Sequence, residues 1–101
     1  MQIYLSPLAE QKLLALTSYL LEHWNKKIRD KFIDKLTAKI KQISSQPQSC
    51  PKSKAQKGLF KCVVSKQTTF YYQLSIDKKE IEIVTFFDTR QNPKKLSKDL
   101  K

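Results

Sequence analysis

Ile81-Glu82-Ile83-Val84-Thr85-Phe86-Phe87-Asp88-Thr89-Arg90-Gln91-Asn92-Pro93 reads as a strand that runs straight into an arginine and then a proline. Ile81 and Ile83 open it at the two-residue period of a half-buried strand, and Val84, Phe86 and Phe87 then make it apolar on both faces. An Arg closing such a strand holds one cation on a rigid frame, which is how a phosphate or carboxylate site is built. It serves equally well as a strand cap paired with a surface acid. The rest of the chain has to decide between the two.

Working back from that strand, Phe70, Tyr72, Leu74 and Ile76 alternate with Thr69, Tyr71, Gln73 and Ser75. Before them Phe60, Cys62 and Val64 alternate with Lys61, Val63 and Ser65. The turns around Lys66-Gln67 and Asp77-Lys78-Lys79 are too short for crossovers, so these three strands are expected to be antiparallel. Gly58, the only glycine, stands at the entrance to the first of them, where a positive φ is expected.

Further back the period changes to that of helices. Ile28, Phe32, Leu36, Ile40 and Ile43, flanked by Ile33, face one way, and Lys31, Lys35, Lys39 and Lys41 face the other. Pro47 disfavours helix at Gln46 and ends the segment. Leu13, Leu16, Leu20 and Trp24 form an earlier stripe, with Leu14 and Leu21 beside it and a break at Asn25. Ser6-Pro7 supplies an N-cap and a first-turn proline, and Gln2-Ile3-Tyr4-Leu5 before it reads as a short strand. The expected fold is α+β in the order β-α-α-β-β-β. A helical hairpin packs on one face of an antiparallel sheet, the other face is more polar and open to a ligand, and a short basic tail follows.

A chain of 101 residues with 40% apolar residues makes one domain, residues 1–101, with one modest core. Twenty Lys and Arg against nine Asp and Glu give a net charge of +11. The excess is uneven. Up to Trp24 one Lys stands against two Glu, whereas Lys52, Lys54, Lys57, Lys61 and Lys66 meet no acid between Gln48 and Lys66. Lys94, Lys95, Lys98 and Lys101 then surround Asp99 at the C-terminus. Such a field attracts nucleic acid, an acidic protein or an anionic membrane, and a lysine-rich genome leaves the same mark. Arg29 and Arg90 are the only arginines, so bidentate base reading is not the main activity.

Cys50 and Cys62 are too few and wrongly spaced for zinc; Cys62 reads as a small core hydrophobe and Cys50 as part of a polar loop. No apolar run approaches the roughly 20 residues that span a bilayer, and no signal peptide is evident, so a cytoplasmic protein without a membrane partner is expected. His23, the only histidine, reads as a surface residue at a helix end. Glu80 and Glu82 read as solvated edge charges, and no glycine loop cradles phosphate. Hydrolase, metal and cofactor chemistry are therefore not expected. What remains is a cationic, aromatic sheet surface made of Lys61, Tyr71 and Arg90, approached by Lys52, Lys54 and Lys57. Cleavage of RNA by its own 2′-hydroxyl needs only cations on the phosphate and a group to move protons, so these residue types suffice. The same surface equally suits simple binding of an acidic partner.

Taken in order, Tyr4-Leu5-Ser6-Pro7-Leu8-Ala9, the helical hairpin, Gly58-Leu59-Phe60-Lys61, Tyr71-Tyr72, and Ile81 to Val84 leading into Phe87-Asp88-Thr89-Arg90-Gln91-Asn92-Pro93 resemble the RelE/ParE superfamily of bacterial type II toxins. The resemblance covers residues 2 to 96. It implies a toxin neutralised by a cognate antitoxin, whose C-terminal segment folds along the hairpin and sheet. It also implies one of two activities: ribosome-dependent mRNA cleavage in the RelE-like branch, or inhibition of DNA gyrase without cleavage in the ParE-like branch. Lys61 and Arg90 match the nucleases' phosphate-stabilising cations, with Lys54 and Lys57 to hold RNA and Tyr71 as a substitute acid/base. Thr69 falls where many nucleases carry an arginine, and no Tyr or His follows Arg90. That departure, together with Arg90-x-x-Pro93, favours the ParE-like branch. There Arg90, Lys94, Lys95, Lys98 and Lys101 become candidate target contacts, alongside Lys52, Lys54 and Lys57. A third reading is a toxin-like domain that only binds an antitoxin or nucleic acid.

Overall fold

The computed structural model describes residues 1–88. The elements follow the expected order: β1 (Gln2–Leu5), α1 (Pro7–His23), α2 (Lys26–Ser45), β2 (Phe60–Val63), β3 (Thr68–Ser75) and β4 (Glu80–Asp88). Ser6 has extended backbone, its side chain accepts from the Ala9 N–H at 3.0 Å, and Pro7 opens α1. The expected break at Asn25 is the N-cap of α2, where its side chain accepts from the Ile28 N–H at 2.9 Å.

The four strands run in the order β1-β4-β3-β2. β2, β3 and β4 are antiparallel as expected, but β1 lies parallel to β4, with Gln2 opposite Glu80 and Leu5 opposite Ile83. The sheet is therefore mixed. Short turns fix the direction of the last three strands, whereas β1 reaches β4 only after a long excursion through both helices, which permits a parallel pair. This makes β4 an interior strand, so Glu80 and Glu82 are not edge charges. Both are half-buried, and Glu82 accepts from Gln73 Nε2 at 2.7 Å.

β4 contains a bulge. Tyr71 opposes Thr85 and Tyr72 opposes Ile83, which leaves Val84 as the extra residue. The bulge reverses the strand's parity. Ile81 and Ile83 face the helices before it, and Phe86 does so after it, joining Phe32, Leu36, Ile43, Cys62, Phe70 and Tyr72 in the main core. Phe87 is turned to the opposite face, where it packs with Leu59, Tyr71 and Val84 in a second, smaller core. The far side of the sheet is thus apolar at this end rather than polar and open.

Several further expectations are corrected. Trp24 caps α1 and is 65% exposed instead of closing the apolar stripe, because the chain turns at Asn25 before the stripe can continue. Ile76 lies beyond β3 and is exposed. Cys50, placed by its polar neighbours in a loop, is buried. Gly58 does adopt a positive φ, 89°. Among the described residues no helix is long and apolar enough to cross a membrane.

Candidate functional site

Lys61 and Tyr71 are brought together as cross-strand partners of β2 and β3, so both lie on the sheet face away from the helices. Their environments differ sharply. Lys61 is exposed, while Tyr71 is only 4% exposed, covered by Leu59 and Phe87. Burial alone pushes the Tyr71 hydroxyl's pKa above its usual 10.0, which makes it a poorer proton donor and a poorer base at neutral pH. The expectation that Tyr71 projects from an open polar face is therefore overturned. The cause is the chain from Gly58, which turns Leu59 over the sheet. Thr69, opposite Val63 and Phe87, is 1% exposed and offers no cation there.

Lys52, Lys54 and Lys57 are exposed on the segment between α2 and β2. That segment runs back along β2: Lys52 bridges Phe60, the Lys61 N–H donates to the Pro51 carbonyl at 2.8 Å, and the Ser53 N–H donates to the Leu59 carbonyl at 2.7 Å. The three lysines thus form a cationic margin beside Lys61. Arg90, Lys94, Lys95, Lys98 and Lys101 lie outside the described residues. Among the described residues no group of three His, Cys, Asp or Glu side chains is placed to hold a metal. His23 stacks on Tyr19 with ring centroids 4.3 Å apart, and its Nδ1 lies 3.2 Å from the Tyr19 carbonyl, as suits a helix-end surface residue.

A second feature escaped the sequence reading. Leu16, Tyr19, Leu20 and Trp24 of α1 and Ile28, Lys31, Phe32 and Lys35 of α2 line a groove of about 320 Å³, closed at one end by Ser65, Gln67, Thr68 and Asp88. A neighbouring hollow of about 360 Å³ shares Leu16, Tyr19, Thr68 and Asp88 and adds Lys12 and Phe86. The floor is apolar and the rim carries lysines. The one signal in the sequence was the run Leu20, Trp24, Ile28 at four-residue spacing across the interhelical turn, which reads as core until the turn is placed.

The described geometry supports binding more readily than acid–base chemistry: an exposed cationic margin on one side, and an apolar groove with lysines on its rim on the other. Comparison with known proteins gives the chain a relationship. The family model described as ParE toxin of type II toxin-antitoxin system, parDE, matches residues 3–93. No curated protein matches the chain in sequence. A solved structure titled "Chromosomal ParDE TA system from P. aeruginosa" is similar in fold, with a TM-score of 0.71 at 13% identity over 87% of this chain and 95% of that one.

Proposed function

We propose, for a chain that belongs to the ParE toxin family of type II toxin–antitoxin systems, that it acts by binding: it inhibits DNA gyrase and is neutralised by a cognate antitoxin. The observation that carries this reading is the burial of Tyr71. A ribosome-dependent nuclease needs a group that moves protons beside its phosphate-binding cations, and Tyr71 is the residue expected in that role. Its ring packs with Leu59 and Phe87, and burial raises the pKa of its hydroxyl, which makes it a poor proton donor to a substrate phosphate.

The groove between α1 and α2 is the surface proposed for the antitoxin. An amphipathic segment with carboxylates at its margin fits an apolar floor bordered by Lys31 and Lys35. A partner that orders on binding also stabilises a small toxin by mass action. The gyrase-contacting residues proposed are Lys52, Lys54 and Lys57 with Arg90, Lys94, Lys95 and Lys98.

Pulse labelling after induction in a bacterial host tests the reading. Thymidine incorporation is expected to fall within minutes while methionine incorporation continues, and the purified chain is expected to block supercoiling by gyrase. Early loss of methionine incorporation would instead establish the mRNA-cleaving alternative. No effect on either would leave an antitoxin- or nucleic-acid-binding domain without toxicity.

A further inference from the structure

The chain's two cysteines meet across a strand pairing that alternation in the sequence does not announce. The bonds from Lys61 N–H to the Pro51 carbonyl and from Ser53 N–H to the Leu59 carbonyl mark hydrogen-bonded pairs, with the Lys52–Phe60 bridge between them. One step further in that antiparallel register sets Cys50 opposite Cys62, at a position of the non-hydrogen-bonded kind. Cα atoms there approach to about 4.5 Å, the closer of the two spacings. Disulfides span Cα separations of about 4.4–6.8 Å. Both thiols are free, at 6% and 1% exposure, and both belong to the main core.

We infer that Cys50 and Cys62 are a redox-active pair, which a low-molecular-weight disulfide converts to one intramolecular disulfide that closes residues 51–61 into a covalent loop. The Cys50 thiolate attacks the S–S bond of the oxidant, forming a mixed disulfide and releasing one small thiol. Cys62 then gives up its proton and attacks the Cys50 sulfur, releasing the second small thiol. Two protein thiols are oxidised and one small disulfide is reduced, so protons and electrons balance. Cys50 is the point of entry because it sits on a loop, whereas Cys62 is paired within the sheet to Phe70. The loop is held by Tyr72, whose hydroxyl donates to the Pro47 carbonyl at 2.8 Å, and by Gln42 Nε2, which donates to Ser49 Oγ at 3.0 Å. Burial, and then the Cys50 thiol beside it, pushes the Cys62 pKa up to about 12. The second step is therefore slow at neutral pH, gated by loop opening, and faster as pH rises. The loop so closed carries Lys52, Lys54 and Lys57. The inference is independent of which target the toxin acts on.

The test uses the full chain in graded mixtures of oxidised and reduced glutathione, quenched with iodoacetamide. Intact mass is expected to show a monomer two hydrogens lighter than the dithiol. Its tryptic map should join the Cys50 and Cys62 peptides, and native trypsin should cut after Lys54 and Lys57 several-fold more slowly than in the reduced chain. The Cys50→Ser variant, altered on the loop and not in the sheet, should show neither change. Two outcomes would overturn the inference: both thiols remaining alkylatable at every ratio, or glutathione adducts or crosslinked dimers in place of the internal bond.

Discussion

The Ser6 hydroxyl donates to the Val84 carbonyl at 2.6 Å while its oxygen accepts from the Ala9 N–H at 3.0 Å. The adjacent Ser6 N–H donates to the Ile83 carbonyl at 2.9 Å. One residue thereby caps the first helix and fastens the bulge at which the last strand changes parity. Ser6→Ala removes both functions of the hydroxyl. A lost N-cap alone costs about 1 kcal/mol, and stranding a partly buried carbonyl adds roughly 1 more. Urea unfolding should show a loss of about 2 kcal/mol; a loss of a few tenths would mean that the bulge does not depend on the tether.

Deleting Val84 is expected to straighten β4 without turning its aromatic residues over, because Thr85 then follows Ile83 directly in the register that pairs them with Tyr71 and Tyr72. Phe86 would stay inward beside Phe70, 5.9 Å distant between ring centroids, and Phe87 would stay on the opposite face, while the Val84 carbonyl that accepts from the Ser6 hydroxyl would be lost. Phe86→Ala should cost about 3–5 kcal/mol, a large share of a small domain's stability, whereas the deletion, which removes the Ser6 tether and leaves the core facing unchanged, should keep a cooperative transition at a cost of about 1–3 kcal/mol. Circular dichroism and thermal melts decide this.

Tyr71→Phe separates the two toxin activities. The side chain is largely buried and its ring supplies the packing, so the variant should stay folded and keep full toxicity if the chain works by binding. Lys61→Ala, an exposed change, should alter stability by no more than about 0.5 kcal/mol and likewise leave inhibition of DNA synthesis in place. Loss of toxicity in both variants, with folding intact, would restore the nuclease reading.

Trp24→Ala probes the groove. The side chain is largely exposed, so thermal stability should change little, whereas affinity for an antitoxin segment should fall at least tenfold, about 1.4 kcal/mol. Lys31→Glu combined with Lys35→Glu should slow association and weaken its dependence on salt. Titration calorimetry and surface-based kinetics would register both effects, and unchanged affinity in both variants would move the antitoxin elsewhere.

Alkaline pH should destabilise the chain through its buried acids, Cys62 and Tyr72 foremost and Tyr71 with them. Cys62 is pushed up from 9.0 to about 12 by burial and by the Cys50 thiol, and Tyr72 is raised above 10.0 by burial and by Cys50. Below about pH 9 both groups are protonated in the folded and unfolded states alike. Above it the unfolded chain releases protons that the folded chain keeps, so stability declines as pH climbs from 9 toward 12. The urea midpoint should therefore be level near neutrality and fall in alkali. Cys62→Ala should lower it at neutral pH yet flatten the alkaline slope.

Local patterns in the sequence carried much of this structure. Ser6-Pro7, the stripes of α1 and α2, the alternation of β2 and β3 and the positive φ of Gly58 all rest on neighbours within four residues, and all lie where their spacing puts them. What escaped depends on distant partners. The doubled apolar character of Val84, Phe86 and Phe87 was visible, but the bulge behind it exists only through pairing with Tyr71 and Tyr72. Tyr71 reads as outward by alternation, and outward it is; Leu59 covering it could not be seen from either strand. Cys50 sits among Ser, Gln, Pro and Lys, and only the register with β2 buries it.

The parallel seam between β1 and β4 has a consequence in time as well as in space. Gln2 to Leu5 are made before the strand they pair with, Glu80–Asp88, with both helices and two strands synthesised in between. Until then the nascent chain lacks Ile81, Ile83 and Phe86, so the helices have no completed floor to rest on and β3 exposes an open edge. A chain stalled before Glu80 should remain sensitive to protease. The two-layer core therefore closes only once β4 has been made, however early β1 and the helices form.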